Sequence, residues 1–297
     1  MAVLFAGDIS WDMSLVMPAI PAPDQKVHCS VMTESTGGVI ANAAVAHARA
    51  GRETRLAVQT GKDLASQTVL EHVAGQGIAI TANQVDGKLC RVVTMLEPHG
   101  EKRLLLYPGV SLVPDPAFLC GIALDGVDHV HTVCYGSGWY QLIAKCRRAG
   151  VSWSIDLEPA SFSEGLDTVA DAIAGARVIF CNDRAAQIIG QDAVEVLFAR
   201  GAQSVLRTRG AEGASLYLPG MAPINKLPAK SNTVVDTTGA GDCLAGWYLA
   251  EMIAGTSPET ALARAVLAAT LSCSSIGAQT GYPNRTDILK HEHQEAK

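Results

Sequence analysis

The chain has 297 residues, 48% of them hydrophobic and 18% charged, and its formal net charge is −6. It carries no basic block, which argues against a dedicated nucleic-acid-binding protein, and no apolar run of about 18 residues, which a membrane-spanning helix would need. The start of the chain lacks a basic segment and soon reaches Asp8, so we expect no secretory signal peptide and a cytoplasmic protein. The large apolar fraction predicts a parallel sheet whose two faces are both covered by helices.

Short apolar runs alternate with helix-like segments along most of the chain. In chain order, the pattern predicts a strand at 3–6, a helix at 39–50, a strand at 56–59, a helix at 63–74, a strand at 127–133, a helix at 140–149, a strand at 151–156, a helix at 168–174, strands at 178–181 and 205–208, and a helix from about 240 to 254. Such alternation across glycine-marked junctions is typical of βαβ units, whose right-handed crossovers place helices on both faces of a mostly parallel sheet.

Two stretches depart from this alternation. Residues 11–36 contain three prolines and then a β-like segment at 26–33. Residues 87–107 predict a hairpin, with strands at 89–96 and 103–107 and a turn at 97–101. We expect the two stretches to form a small β-sheet over the carboxyl ends of the main strands, where it would serve as a lid. The expected catalytic core is therefore 1–10, 37–86 and 108–297, and the expected lid is 11–36 and 87–107.

The cysteines and histidines give little sign of a metal site. No two of the eight cysteines stand in a C-x-x-C spacing, so we expect free buried thiols. His129 and His131 lie on one face of a predicted strand, but no third ligand accompanies them, so core packing is the preferred interpretation.

The strongest local motif is Asp236-Thr-Thr-Gly-Ala-Gly-Asp242, between a short strand and a predicted helix. Gly239 and Gly241 permit a tight turn, and the first helical amides, near Ala240, have no partner within the helix. Such a helix end suits a phosphate. A carboxylate repels phosphate, so Asp242 suits a base that accepts a hydroxyl proton during phosphoryl transfer.

Other interpretations of the glycines are weaker. The G-x-G-x-x-G fingerprint fails because Leu244 stands in place of its last glycine, which disfavours a nicotinamide dehydrogenase. A P-loop at Gly61-Lys62 fails because Asp63 follows the lysine. A glycine turn with Asp242 as an ordinary helix cap remains open at this point.

Two further motifs bring polar groups to the ends of strands and helices. Gly37 and Gly38 precede the predicted helix at 39–50, whose first turn holds Asn42; its amide could bind a hydroxyl or face solvent. Asp8 and Asp12 follow the first strand, where carboxylates can bind sugar hydroxyls or lie in a solvated loop.

In this order, the three motifs resemble the ribokinase-like (PfkB) carbohydrate kinases, over nearly the whole chain from Gly7 to about Asp287. Thr208-Arg-Gly210-Ala-Glu-Gly213 is similar to the T-x-G-x-x-G segment on the family's nucleotide side. The resemblance implies a three-layer α/β/α fold with a mostly parallel central sheet and a small β-sheet lid. It implies transfer of the γ-phosphate of ATP to a hydroxyl of a small sugar, with Mg²⁺ and, in many members, a monovalent cation such as K⁺. It also implies a homodimer formed through the lids.

The resemblance further implies a role for each matched residue. Asp242 would be the general base, and the amides of Gly239, Ala240 and Gly241 would bind the γ-phosphate. The acceptor would be held by Asp12, Gly37, Gly38 and Asn42. The nucleotide would lie against Asn182, Thr208, Gly210, Gly213 and Gly277, and a monovalent cation against Asp236 and Thr238.

Two positions depart from the family pattern. The N-x-x-E segment keeps Asn182 but has Ala185 in place of the glutamate that helps to organise magnesium and phosphate; Asp183 could compensate. Many ribokinases have a glutamate after the strand at 127–133, where this chain has Cys134 and Tyr135, and Val39 follows the glycine pair. We therefore do not expect a standard ribose pocket.

The identity of the acceptor stays open. A free sugar is the leading expectation. A phosphosugar is an alternative because Lys26, Lys88 and Arg91 lie on the expected lid, although a solvated strand face is the simpler explanation. A nucleoside is another, because Trp11 and Trp139 could stack on a base, although core packing is the simpler role. Ala185 also motivates a sugar-binding relative without catalysis.

Overall fold

The computed structural model describes residues 1–97, 102–229 and 234–295, and most of the predicted turn at 97–101 lies outside these ranges. The described residues form thirteen strands and ten helices. The strands are β1 (Ala2–Gly7), β2 (Ser10–Val16), β3 (Val31–Gly37), β4 (Thr54–Thr60), β5 (Ala79–Gln84), β6 (Cys90–Leu96), β7 (Lys102–Tyr107), β8 (Val127–Val133), β9 (Ser152–Asp156), β10 (Val178–Asn182), β11 (Val205–Thr208), β12 (Ala214–Tyr217) and β13 (Ile224–Lys226). The helices are α1 (Val39–Arg49), α2 (Leu64–Gly75), α3 (Pro116–Gly121), α4 (Gly138–Ala149), α5 (Ala170–Ile173), α6 (Asp183–Ile189), α7 (Ala193–Ala199), α8 (Ala240–Ile253), α9 (Pro258–Ser272) and α10 (Arg285–Glu295).

The strands form two sheets. The large sheet has nine strands in the order β13-β12-β11-β10-β9-β8-β1-β4-β5. Its neighbours pair in parallel from β5 to β11, and β12 and β13 add an antiparallel edge. The small sheet has the order β3-β2-β6-β7. This arrangement confirms the predicted α/β fold with a mostly parallel central sheet and a second, smaller sheet.

Helices cover both faces of the large sheet, as the apolar composition predicts. Alternate side chains of a strand point to opposite faces, so Val3 and Phe5 of β1 join one core with α1, α8 and α9. Leu4 and Ala6 join a second core with α3 to α7. No helix within the described ranges is long and apolar enough to span a membrane.

Close packing of α1 against α8 positions the site. A Cβ atom on Gly246 of α8 would lie 2.3 Å from the carbonyl oxygen of Ala43 on α1, so only glycine allows this approach. The same packing brings the first turn of α1, with Asn42, beside the first turn of α8, with Asp242. Two motifs that lie 200 residues apart in sequence therefore meet in one place.

Two predicted elements differ in extent from the observed ones, and the strand β2 was missed. The β-like segment at 26–33 becomes a strand only from Val31. The predicted helix at 168–174 is a 3₁₀ turn, Leu166–Val169, followed by the short α5. The strand β2 was not predicted, although Ser10–Val16 alternates largely between polar and apolar residues with the period of two of a strand; the prolines that suggested a loop begin only at Pro18.

Candidate active site

A row of polar residues lies along the carboxyl edge of the large sheet, because parallel strands end at the same edge. Asp8 follows β1, Tyr135 follows β8, Asp156 ends β9, and Asn182 and Thr208 end β10 and β11. The strand order reverses between β1 and β8, and open α/β sheets form their ligand crevice at such a reversal. The predicted nucleotide residues Asn182 and Thr208 pair in register at the far end of this row.

The start of α8 has the geometry of an anion site. Gly239 precedes the helix with φ = 76°, and a Cβ atom there would lie 2.6 Å from the carbonyl oxygen of Ala278. The amide of Ala240 makes a long hydrogen bond of 3.3 Å to Thr237, and the amides of Gly241 and Asp242 have no acceptor among the described residues. Free amides at a helix N-terminus can bind phosphate, which is the role that the sequence suggests for this motif.

Asp242 lies in the first turn of α8, beside Asn42. Its Oδ2 accepts a hydrogen bond of 2.8 Å from Nδ2 of Asn42. Burial is the main cause that raises the pKa of Asp242 to about 8; the carboxylates of Glu158 and Asp8 act in the same direction, and the bond from Asn42 acts against them. A carboxylate with a pKa near neutrality is well matched to taking a proton at physiological pH.

The carboxylate of Asp12 on β2 lies against Gly37 at the end of β3. A Cβ atom on Gly37 would stand 2.0 Å from Oδ2 of Asp12, and one on Gly38, with φ = 101°, would stand 2.8 Å from Cα of Ile9. The hydroxyl of Ser10 donates to Oδ1 of Asp12 at 2.5 Å. Burial raises the pKa of Asp12 to about 6, against the effect of this bond. The absence of side chains at Gly37 and Gly38 thus permits their close approach to Asp12 and Ile9.

Asp8 differs from its expected role. Its two carboxylate oxygens accept hydrogen bonds from the amides of Val39 and Ile40, at 2.9 and 3.0 Å, so it caps α1. Burial still raises its pKa to about 6. Asp8 therefore orients the helix that carries Asn42, and the sequence suggestion that it binds sugar hydroxyls is not what its contacts show.

Asp236 and Thr238 form a compact turn before α8. Oδ1 of Asp236 accepts from the amide and hydroxyl of Thr238, at 2.9 and 2.7 Å, and Oδ2 accepts from the amide of Gly277 at 3.0 Å. The carboxylate is buried and has no basic partner among the described residues. It keeps lone pairs free, and an oxygen donor of this kind fits a hard cation such as K⁺.

Of the predicted nucleotide residues, Asn182 and Thr208 end β10 and β11, Gly210 and Gly213 follow β11, and Gly277 lies apart from them, bonded to Asp236. Asn182 caps α6 by accepting from the amide of Ala185 at 2.8 Å. Gly210 and Gly213 have φ values of 52° and 80° in the turn after Thr208, and a Cβ atom on Gly213 would meet the Lys226 carbonyl oxygen at 2.0 Å. The turn therefore needs glycine on conformational grounds, whatever it binds.

Asp183, which could compensate for Ala185, pairs with Arg207 at 3.0 Å. Glu158 instead lies beside Asn182 and accepts from its Nδ2 at 3.1 Å. Asp156 has no hydrogen-bond or ion-pair partner within the described residues, and burial raises its pKa together with that of Glu158.

Asp156 and Glu158 fit the Mg²⁺ that the family implies. Mg²⁺ is usually held by one or two carboxylates together with phosphates of the substrate. Among the described residues no group of three or more His, Cys, Asp or Glu is arranged to hold a metal alone. Asp156 and Glu158 are therefore the two carboxylates that could hold an ion together with the phosphates of a nucleotide.

The lid candidates are less well placed. Arg91 on β6 pairs with Asp63 at 3.2 Å, and Lys26 is exposed in the segment before β3. Trp11 lies on the opposite face of β2 from Asp12 and donates to Glu34, and Trp139 is buried with its Nε1 bonded to Gly136. The alternative roles considered for these four residues thus gain no support from their contacts.

Sequence reasoning missed three residues near Asp242. Asp156 ends a strand predicted in the sequence and Glu158 follows it, so their position at a carboxyl edge was a usable signal. Gln279 is buried and donates to Asn42 at 2.8 Å, and no local pattern points to it.

Comparison with known proteins agrees with this geometry. The sequence model of the pfkB family carbohydrate kinases matches residues 3–285. An ATP-dependent ribose-1-phosphate kinase of Halopiger xanaduensis is 26% identical over 282 residues, which cover 94% of each chain.

Two solved structures share the fold. A ribokinase from Thermotoga maritima superimposes with a TM-score of 0.83 at 21% identity, covering 98% of this chain and 99% of that chain. A nucleoside kinase from Burkholderia thailandensis, in complex with inosine, gives a TM-score of 0.83 at 20% identity, covering 99% of this chain and 97% of that chain. These likenesses show the fold alone. The family match spans nearly the whole sequence, and the chain therefore belongs to the PfkB family of carbohydrate kinases.

Proposed function

We propose that the protein transfers the γ-phosphate of ATP to a hydroxyl of a small, neutral sugar, with Asp242 as the general base. One observation carries this proposal. Asp242 is hydrogen-bonded to Asn42 on one side and adjoins the open amides at the start of α8 on the other. A base and an anion site that adjoin each other are what phosphoryl transfer to an alcohol requires.

The acceptor hydroxyl would give its proton to Asp242 as its oxygen attacks the γ-phosphorus in line. The backbone amides of Gly241 and Asp242, which have no acceptor among the described residues, would stabilise the charge on the transferring group, as preorganised donors do. Bound Mg²⁺ supplies neutralisation of the β- and γ-phosphates, and Asp156 and Glu158 are the residues that would hold it. A monovalent cation at Asp236 and Thr238 would steady the turn that carries the amides.

The charge of the pocket favours a neutral acceptor. Asp242 feels the fields of Glu158, Asp8 and Asp12, and Asp156 feels those of Glu158, Asp242 and Asp8. A phosphorylated sugar would add negative charge to these carboxylates, and the Arg91 guanidinium is already paired with Asp63.

The small sheet has a further proposed role. The segments 11–36 and 87–107 would act as a lid that excludes water, which otherwise competes as acceptor. The lid would also carry a homodimer contact, because β7 exposes a run of large apolar side chains, Leu104, Leu105, Leu106 and Tyr107.

An ADP-release screen with neutral sugars, phosphosugars and nucleosides tests the reaction. We expect turnover with a neutral sugar, and loss of at least about 10²-fold in kcat in Asp242→Asn with ATP binding retained. Turnover restricted to a phosphosugar or a nucleoside would overturn the acceptor class. A variant that keeps more than about a tenth of the rate would overturn the role of Asp242. No ADP release with any acceptor, despite ATP binding, would favour a non-catalytic sugar-binding protein.

A further inference from the structure

A chain of hydrogen-bonded side chains runs from the surface to Asp242. Nε2 of His72, exposed on α2, lies 3.0 Å from Oε1 of Gln279. Nε2 of Gln279 donates to Oδ1 of Asn42 at 2.8 Å, and Nδ2 of Asn42 donates to Oδ2 of Asp242 at 2.8 Å. One side chain, that of Asn42, therefore separates Gln279 from Asp242, the proposed base.

The carboxylate fixes the direction of every bond in this chain. The form of Asp242 that can act as a base is the ionised carboxylate, which only accepts hydrogen bonds, so in that form Asn42 must turn its NH₂ group toward Asp242. Its carbonyl oxygen then faces Gln279, which must present its own NH₂ group, and the carbonyl oxygen of Gln279 faces an N–H of His72. The donors all point the same way, an arrangement in which each bond polarises the next.

The position of Gln279 is held independently of this chain. Nη1 of Arg49 donates to the backbone oxygen of Gln279 at 2.9 Å, and Nε of Arg49 donates to Oε1 of Gln76 at 3.0 Å. The side chains of Gln279 and Asn42 are buried. Water therefore has little access to replace a lost partner. A reversed amide would place donor opposite donor and acceptor opposite acceptor, with no hydrogen bond between them.

We propose that Gln279 is a positioning residue for catalysis: its amide sets the orientation of Asn42, which holds Oδ2 of Asp242 and leaves Oδ1 to receive the acceptor proton. This inference rests on the proposed function of Asp242 as the base. It assigns to a residue outside the three sequence motifs the task of keeping Asn42 a donor to Asp242.

The decisive variant is Gln279→Glu, which keeps the shape but accepts where glutamine donates. Its carboxylate would draw the NH₂ group of Asn42 and turn the carbonyl oxygen of Asn42 toward Asp242. We expect kcat to fall about tenfold or more, the size expected for loss of a hydrogen bond to a charged group, with the acceptor KM within about twofold. The acid limb of the pH–rate profile should move to higher pH. The bond from Asn42 lowers the pKa of Asp242, and without it the charges of Glu158, Asp8 and Asp12, which raise that pKa, are no longer opposed.

Two variants separate this role from structure and from added charge. Gln279→Met removes the donor without a charge, so its acid limb should move in the same direction by less. Gln76→Glu makes the same chemical change at a residue that touches Arg49 and not Asn42, so it should behave as wild type. A Gln279→Glu enzyme with kcat within twofold of Gln76→Glu, or with an unmoved acid limb, would overturn the proposal.

A carbon-13 NMR titration of the Asp242 carboxyl, assigned with Asp242→Asn, gives a readout without turnover. Its midpoint should rise in Gln279→Glu and Gln279→Met and stay fixed in Gln76→Glu. A rise in a protein that phosphorylates no acceptor would refute the proposed function and keep the positioning of Asp242. A fixed midpoint in an enzyme that phosphorylates an acceptor would refute the positioning of Asp242 by Gln279 and keep the proposed function.

Discussion

At the scale of single residues, the position of a carboxylate decides which job it can do. Asp183 and Glu158 both lie near Asn182, yet Asp183 is neutralised by Arg207 and Glu158 is not paired in this way. Asp8 is as deeply buried as any of them, but its two oxygens are taken by amides of α1. The same residue type therefore serves as a surface ion pair, a helix cap, or a group available to a ligand.

This contrast gives a prediction for nucleotide binding. Glu158→Gln should weaken binding of a non-hydrolysable ATP analogue in the presence of Mg²⁺ by about tenfold, the lower end expected when a group that supports a metal is lost. Binding without Mg²⁺ should change little. Isothermal titration calorimetry with and without Mg²⁺ measures both.

Asp183→Asn is the matched control, since it removes a carboxylate from the neighbouring helix. It should leave the effect of Mg²⁺ on analogue affinity as in wild type. Equal losses in the two variants, or a loss in Glu158→Gln that does not depend on Mg²⁺, would contradict a role for Glu158 in holding the ion.

At the scale of elements, the site depends on how closely α1 and α8 approach. The contact at Gly246 leaves no room for a Cβ atom, and it lies one turn beyond the pair Asn42 and Asp242. Overpacking of such a contact commonly costs about 1–3 kcal/mol. The two helices cannot separate without also lengthening the bond that orients Asp242.

Gly246→Ala should therefore reduce both stability and activity. We expect the free energy of unfolding to fall by about 1–3 kcal/mol and kcat to fall with it. Gly75→Ala, within α2, meets no atom within 4 Å of its new Cβ and should be neutral or slightly stabilising. Urea unfolding and kcat of the two variants provide the measurements, and equal behaviour would show that the α1–α8 contact is not tight.

The small sheet offers a second prediction at this scale. Met13, Val93 and Leu105 lie in register on one face of β2, β6 and β7, and Leu105 is 60% exposed. A charge at the centre of an apolar dimer contact is costly to bury, so Leu105→Asp should shift the protein from dimer to monomer in light scattering after size exclusion. Leu64→Asp, on α2 and 78% exposed, should leave the mass unchanged. A wild-type monomer would exclude the proposed dimer.

The parts of the site that the sequence predicted are those made within one short segment. The turn before α8 could be predicted because Gly239, Gly241 and Asp242 act through adjacent backbone and one side chain. The partners of Asn42 could not, because they are set by helix packing and lie 200 and 237 residues away. The strand β2 was missed for a different reason, since the nearby prolines outweighed a readable alternation.

At the scale of the whole molecule, the buried histidines and the buried aspartates have opposite effects on stability as the pH falls. Burial lowers the pKa of His47 and His131 to about 3 and raises that of Asp8 and Asp12 to about 6. Below about pH 6.5 the unfolded chain protonates His47 and His131 and the folded chain does not, which destabilises the fold as the pH falls. Between about pH 6 and 4 the folded chain protonates Asp8 and Asp12 before the unfolded chain does, which stabilises it.

Removing one histidine should expose this balance. Oγ of Ser154 lies 2.8 Å from Nδ1 of His131 and keeps a second partner in His129, and Nε2 of His131 has no partner among the described residues. As the pH falls from 6 to 4, wild type pays for keeping His131 neutral and His131→Leu does not. The free energy of unfolding of His131→Leu should therefore rise relative to wild type by about 1.4 kcal/mol for each pH unit. His293→Leu, in an exposed position on α10, should run parallel to wild type in urea unfolding across the same range. If the curve for His131→Leu is also parallel, the imidazole takes up its proton in the folded state, and the acid stability of the protein must be set by its carboxylates.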